Sequence, residues 1–230
     1  MIFNQLFDTK SSTYTYIVAS GKGREALIID PVLEKTEEYL KILKELDLKL
    51  VKVIDTHIHA DHITGLNELS KRTNCTKIMG EHSKSEVIDL KVKEDEKIKI
   101  ENIELKALYT PGHTDCSYCF LMNDRIFTGD TLLINGTGRT DFQNGSAEVQ
   151  YDSIFNKLLK LPEKTIVYPA HDYNGKKFST IANEKENNPR LQVSSVNEYI
   201  EIMNNLNLAN PKMMDIAVPA NLKGLTLNQL

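Results

Sequence analysis

The stretch DTHIHADHITG, residues 55–65, contains three of the six histidines of this 230-residue chain. It follows LVKVI (50–54), a β-branched run that predicts a strand. His57 and His59 are two positions apart, so both side chains lie on one side of an extended segment. The stretch has four side chains that can bind a metal, namely His57, His59, Asp61 and His62. Imidazole and carboxylate ligands together suit zinc or iron, so we predict a metal site.

One stretch does not complete a metal site, and three later motifs supply further ligands. TPGHTD, FTGDTLL and YPAHDYNG each follow a predicted strand and contain glycine or proline. Functional side chains commonly lie on such loops. The motifs place His113, Asp130 and His171 as candidate ligands. The seven positions by themselves permit either a one-metal or a two-metal site.

The hydrophobic patterns predict an α+β domain with two sheets covered by helices. Strands are predicted at 14–19, 25–29, 50–54, around 78, 98–100, 103–108, 117–121, 125–128 and 165–170, and helices at 34–46, 63–71, from 151 and at 196–203. We find no internal repeat and no low-complexity linker. A single domain over 1–230 is therefore predicted, with a short C-terminal extension from about 190 packed on it.

Composition narrows the class of partner. A net charge of −4 and a pI near 5.9 argue against nucleic acid or an anionic membrane surface as the partner. No apolar run approaches the ~18 residues of a membrane-spanning helix. The first residues resemble neither a secretory signal nor an import peptide, which predicts a cytoplasmic protein. Cys116 and Cys119 have CxxC spacing, but in a strand they would face opposite sides, so we interpret them as packing residues.

The metal motifs resemble those of the metallo-β-lactamase superfamily, and further motifs resemble the persulfide dioxygenases, also called sulfur dioxygenases. The motifs that carry this second resemblance are DPVLE (30–34), THIHADHITG (56–65), GTGRTDFQ (136–143), YPAHDYNG (168–175), NPRL (188–191) and VPANLKG (218–224). The resemblance implies an αββα sandwich of two mixed sheets flanked by helices. It also implies one iron(II) per chain and, often, a homodimer.

The resemblance further implies a role for each motif residue. His57, His113 and Asp130 match the iron ligands, a facial triad with open positions for O₂ chemistry. His59, Asp61, His62 and His171 match superfamily metal positions that would surround this iron or hold a second metal. Arg139, Tyr173 and Arg190 match positions that contact the substrate, glutathione persulfide. With O₂ and water, the implied products are sulfite and glutathione, and no catalytic residue beyond the metal ligands is implied.

Two alternatives share these residues. The first is a two-zinc hydrolase of glutathione thioesters similar to glyoxalase II, which would be expected to have a longer C-terminal helical region. We expect one clear helix after His171, in addition to the VPAN tail. The second is a non-catalytic sensor that keeps a relic metal site. The identity and number of bound metals would separate these hypotheses.

Overall fold

The computed structural model describes residues 1–209, 211 and 213–229. These residues contain twelve strands, namely β1 Ile2–Asp8, β2 Thr13–Ala19, β3 Glu25–Ile29, β4 Lys49–Ile54, β5 Thr76–Gly80, β6 Leu90–Val92, β7 Lys97–Ile100, β8 Ile103–Tyr109, β9 Tyr118–Leu121, β10 Arg125–Gly129, β11 Ile166–Pro169 and β12 Ser179–Thr180. The α-helices are α1 Thr36–Glu45, α2 Leu66–Thr73, α3 Ala147–Asp152, α4 Ile181–Asn187, α5 Val196–Asn204 and α6 Met214–Lys223.

The strands form two mixed sheets of six. The first has the order β1-β2-β3-β4-β5-β6, with β3 to β6 parallel and the first two pairs antiparallel. The second has the order β12-β11-β10-β9-β8-β7, and only β10 and β11 pair in parallel. The predicted architecture of two mixed sheets flanked by helices is confirmed.

The alternation of side chains along β2 shows how the layers form. Tyr16 and Val18 face the second sheet, whereas Ile17 and Ala19 face α1 and α2. The layer between the sheets consists of aliphatic and aromatic side chains, and the ring centroid of Tyr16 lies 4.9 Å from that of Phe127. Each such buried side chain contributes roughly 1.5–3 kcal/mol relative to exposure. Buried side chains on both faces of β2 therefore stabilise the fold.

The outer face of the second sheet is covered by helical segments from the later half of the chain. Val167 of β11 and Ile126 of β10 pack there against Ile154, Ile181 and Tyr199. Helix α6 lies elsewhere. Its alanines pack against the loops near the end of β4 rather than on the outer face of a sheet (Ala217 and Ala220 with Leu33 and Ile63). The prediction of a single domain with a packed extension stays a prediction.

Some elements differ from the sequence-based expectations. Strands β1, β6 and β12 were not predicted, and the prediction of one clear helix after His171 was wrong, because α4, α5 and α6 all follow it. Helix α6 contains Pro219 in its interior, a residue that usually argues against a helix. The charged run 91–99 contributes to the edge strands β6 and β7. Within the described residues, no helix has the length and apolarity needed to cross a membrane.

Candidate metal centre

Strand direction brings the predicted ligands together. In the second sheet β8, β10 and β11 run the same way, since β9 is antiparallel to both β8 and β10. The loops that follow these three strands therefore lie at one edge, and they contain His113, Asp130 and His171. His57 follows β4 in the first sheet. The two sheets meet at this edge, where the Tyr118 N–H donates to the Thr56 carbonyl at 2.9 Å.

The three residues predicted as iron ligands form one group. His57, His113 and Asp130 each offer a ligand atom, and these atoms lie within 4.8 Å of one another. His113 Nε2 is 3.5 Å from Asp130 Oδ2. Two imidazoles and one carboxylate fit the facial arrangement of non-haem iron(II) sites. The donor set therefore suits the predicted metal.

Hydrogen bonds to the other ring nitrogen set the orientation of both histidines. His113 Nδ1–H donates to the Arg139 carbonyl at 2.7 Å. Thr56 Oγ1 donates to Asp30 Oδ2 at 3.1 Å, so it accepts from His57 Nδ1–H at 3.0 Å. Both rings then present Nε2 with a free lone pair, as in many histidine metal ligands. Thr56 and Asp30 were missed as functional residues, because nothing in their spacing indicates this role.

Burial and charge place these ligands in suitable protonation states. Burial lowers the pKa of His57 well below its ordinary value, and neighbouring His59 and His113 lower it further, so the ring is neutral. Burial alone would raise the pKa of Asp130. The charge and hydrogen bond of His171, with the charge of His113, outweigh burial and hold this pKa well below its usual range. A neutral imidazole and an ionised carboxylate are the forms that bind metal.

The remaining candidate ligands form a second group beside the first. His59, Asp61 and His62 offer ligand atoms within 4.8 Å of one another. His171 bridges the groups, with Nδ1 2.7 Å from Asp130 Oδ1 and Nε2 2.8 Å from Asp61 Oδ2. Among the described side chains, His59 Nδ1 and His62 Nε2 are buried without a hydrogen-bond partner. All seven predicted positions thus lie at one site.

A cavity of about 770 Å³ opens in front of this site. Its floor contains His57, Asp61, His113, Asp130 and His171, and its walls include Lys10, Leu133, Ile134, Thr137, Arg139, Tyr173, Arg190, Leu208 and Met213. The three residues predicted to bind substrate therefore line the same cavity as the metal ligands. Its volume suits a ligand of tripeptide size.

The two cavity arginines differ in their partners. The Arg139 guanidinium forms two 2.7 Å hydrogen bonds to the Asp141 carboxylate, and Nη1 donates to the Ala209 carbonyl at 2.7 Å. Arg190 instead donates to the Thr137 carbonyl and, at 3.2 Å, to the Thr137 hydroxyl. Burial lowers the pKa of Arg190, which nonetheless stays a cation. In the part of the chain that is described, no carboxylate pairs with Arg190.

Tyr173 lies on an exposed loop at the cavity rim. Its side chain is 72% exposed, and its ring stacks parallel to His171 at 6.2 Å. Tyr173 therefore does not contribute to the hydrophobic core. The Asp172 carboxylate accepts from the backbone N–H groups of Asn174 and Lys176 at 2.8 and 2.7 Å, which shapes the loop.

The two cysteines of the CxxC pattern face opposite sides, as predicted. Cys116 packs with Ile58 and Met79, whereas Cys119 lies in the layer beneath α5. Both are free thiols. Burial raises the pKa of Cys116, and it raises the pKa of Cys119 to about 12. Neither thiol belongs to a metal-capable group of the described residues, and burial disfavours the thiolate form of both.

The αββα layers and the histidine–aspartate donor set define a metal-binding enzyme class, and comparisons with known proteins agree. Residues 8–171 match the family model described as the metallo-beta-lactamase superfamily. The chain is 44% identical to the mitochondrial persulfide dioxygenase ETHE1 of Mus musculus, over 97% of this chain and 88% of the relative. It is 33% identical to a hydroxyacylglutathione hydrolase of Dictyostelium discoideum, over 76% and 68%.

A comparison with a solved structure agrees with these sequence comparisons. The crystal structure of ETHE1 from Myxococcus xanthus superposes with a TM-score of 0.94 at 48% identity, covering 96% of this chain and 98% of that one. This chain belongs to the metallo-β-lactamase superfamily and, within it, to the persulfide dioxygenases, which are oxidoreductases.

Proposed function

We propose that this chain is an iron-dependent persulfide dioxygenase that oxidises glutathione persulfide with O₂ and water to sulfite and glutathione. The observation that carries the proposal is the grouping of His57, His113 and Asp130 at the floor of the cavity. The reaction balances with one O₂ and one water, and two protons are released. The terminal sulfur loses four electrons to O₂, and the S–S bond breaks.

The three ligands would hold a single iron(II). Bound there, iron would supply Lewis-acid and redox chemistry for the reaction of the persulfide with O₂. The neutral ring of His57 and the ionised Asp130 are ready to bind it without first releasing protons. His171, between two carboxylates, has a raised pKa despite burial and therefore stays a cation that stabilises the charge on Asp130.

The cavity walls would orient the substrate. Glutathione carries two carboxylates, and a guanidinium fork binds a carboxylate in a fixed geometry. We propose that Arg190, Arg139 and Tyr173 contact the glutathione part. Arg190 is available for direct binding because its partners are neutral groups of Thr137. Arg139 would bind substrate only by exchanging Asp141, so we assign it a smaller share of the affinity.

The metal and the reaction are tested together. We expect anaerobically purified protein to contain about one iron per chain and to consume O₂ and release sulfite when glutathione persulfide is added. Two zincs per chain with no O₂ uptake would contradict the proposal and support the glyoxalase II-like alternative, for which the second group of ligands provides positions.

The substrate contacts are tested by two arginine variants. Arg190→Ala should raise KM for glutathione persulfide more than Arg139→Ala, and iron content should be unchanged in both. Loss of one charge-assisted hydrogen-bond pair is worth ~1.5–3 kcal/mol, or roughly 10- to 100-fold in KM. Parent-like kinetics in both variants would remove these residues from the substrate site.

We propose a homodimer and a cytoplasmic location. The measurements are sedimentation at several protein concentrations and cell fractionation with an antibody to the chain.

A further inference from the structure

The metal-binding stretch receives three hydrogen bonds from one distant side chain. Asn221 of α6 is 4% exposed. Its Nδ2 donates to the His59 carbonyl at 2.9 Å and to the His62 carbonyl at 3.0 Å, and its Oδ1 accepts from the Thr64 N–H at 2.9 Å. These contacts join residues at least 157 positions apart in sequence. Through these three hydrogen bonds the Asn221 side chain connects α6 to the metal-binding stretch.

An asparagine suits this position because its planar amide has two donors and one acceptor region. The stretch after β4 is irregular, and within the described residues no backbone N–H donates to the carbonyls of His59 and His62. Asn221 satisfies two of these carbonyls and one N–H at once. The stretch is thereby held at two of its metal-capable residues and just beyond them.

Helix α6 is itself held by hydrogen bonds from residues 85 and 86. Ser85 Oγ donates to the carbonyls of Asn221 and Leu222, both at 3.3 Å, and the Glu86 N–H donates to the Leu222 carbonyl at 3.1 Å. Ala217 and Ala220 pack against Leu33 and Ile63. The helix is therefore a fixed support, and Asn221 transmits its position to the ligand-bearing backbone.

We propose that Asn221 is a positioning residue for the metal centre, which acts through the backbone of residues 59–64 and contacts no ligand atom itself. This inference rests on the proposed metal site. A group that orients ligands in this way typically changes metal affinity by about 10- to 100-fold when it is removed.

The test compares Asn221→Ala with two control variants. Ala220→Gly disturbs the neighbouring position of the same helix and leaves the amide contacts in place. Ser85→Ala removes a tether of α6 that does not touch the ligand stretch. For each protein we would measure the dissociation constant for iron(II), anaerobically, and for zinc(II), by competition with a chelator, together with the melting temperature of the metal-free form.

We expect Asn221→Ala to weaken both metals about 10- to 100-fold, and the controls to keep metal affinity within about threefold even where they lower the melting temperature equally. Equal loss of affinity in Asn221→Ala and Ala220→Gly would overturn the proposal, since any disturbance of α6 would then suffice. If Asn221→Ala does not fold, Asn221→Ser supplies the test. We expect its loss of metal affinity to be larger than that of the control variants and smaller than about 100-fold. Parent-like affinity in that variant would also overturn it.

Failure of the proposed function is distinguishable from failure of this inference. A parent protein that binds zinc and shows no persulfide-dependent O₂ uptake would contradict the dioxygenase assignment. The ratio of zinc affinities between variants would still decide whether Asn221 positions the ligands.

Discussion

Replacement of Gly138 by alanine should disrupt the metal centre, although Gly138 is not a ligand. An added Cβ would lie 2.1 Å from the Asp130 carbonyl oxygen and 2.8 Å from His113 Nδ1. Gly138 also donates its N–H to that same carbonyl at 2.8 Å, so the two backbone segments are in direct contact. The space that glycine leaves is therefore occupied by two of the three residues proposed to hold iron.

The expected size of the effect follows from these distances. A carbon and a carbonyl oxygen in close contact lie about 3.3 Å apart, so the chain must move by about 1.2 Å to admit the methyl group. Forced overpacking of this kind costs ~1–3 kcal/mol of stability. A shift of about 1 Å at a reactive site can lower the rate about 100-fold. We therefore expect a modest fall in melting temperature together with a large loss of iron and of O₂ uptake.

Gly136 provides the matched control, because it lies two residues away on the same loop. Its added Cβ would meet only Leu133 Cβ, at an ordinary 3.9 Å. Purified Gly138→Ala and Gly136→Ala proteins should be compared by iron per chain, melting temperature and persulfide-dependent O₂ uptake. If Gly138→Ala retains iron and activity as Gly136→Ala does, the close contact with the ligands is not functionally important and the reasoning is refuted.

Three further predictions follow from the site and the buried titratable groups. His113→Ala should abolish metal retention and activity while circular dichroism shows a folded protein; retained iron would contradict its role as a ligand. Burial raises the pKa of Asp55 to about 8, so the folded state keeps a proton that the unfolded chain releases near pH 4. The metal-free protein should therefore become less stable as the pH rises from about 4 to about 8. The slope is at most ~1.4 kcal/mol per pH unit. Denaturant titrations should show this slope reduced in Asp55→Asn. Cys116 and Cys119, buried and with raised pKa values, should resist a thiol reagent at pH 8 until the protein is unfolded; rapid labelling of the native protein would contradict this.

The strands that were predicted correctly are those whose burial is strong on at least one face. Strand β2 is buried throughout, and β8 alternates between buried and half-buried positions, so their sequences have clear patterns. Strand β1 is an edge strand of half-buried residues that includes Asn4 and Gln5, and it has no such pattern. Helix α6 contains Pro219 and is stabilised by its packing against loops, which local sequence does not encode.

At the site, the candidate metal ligands could be predicted from the sequence, whereas the residues that orient them could not. The seven candidate ligands were identified because metal binding restricts residue type and spacing. Which of them come together is determined by strand direction in two sheets, which the motifs do not contain. The groups that orient the ligands, such as Thr56 and Asn221, make ordinary hydrogen bonds that many residue types could provide elsewhere.

The position of the second group of ligands explains why residue types alone leave the number of metals open. His171 contacts the carboxylates of both groups, so the same side chain serves either to hold a second metal or to neutralise Asp130. Its raised pKa favours the second role, since a protonated imidazole has no lone pair for a metal. A second metal that uses His171 as a ligand would first have to displace a proton from its ring. The protonation of His171 therefore favours the proposed single iron over a two-metal site.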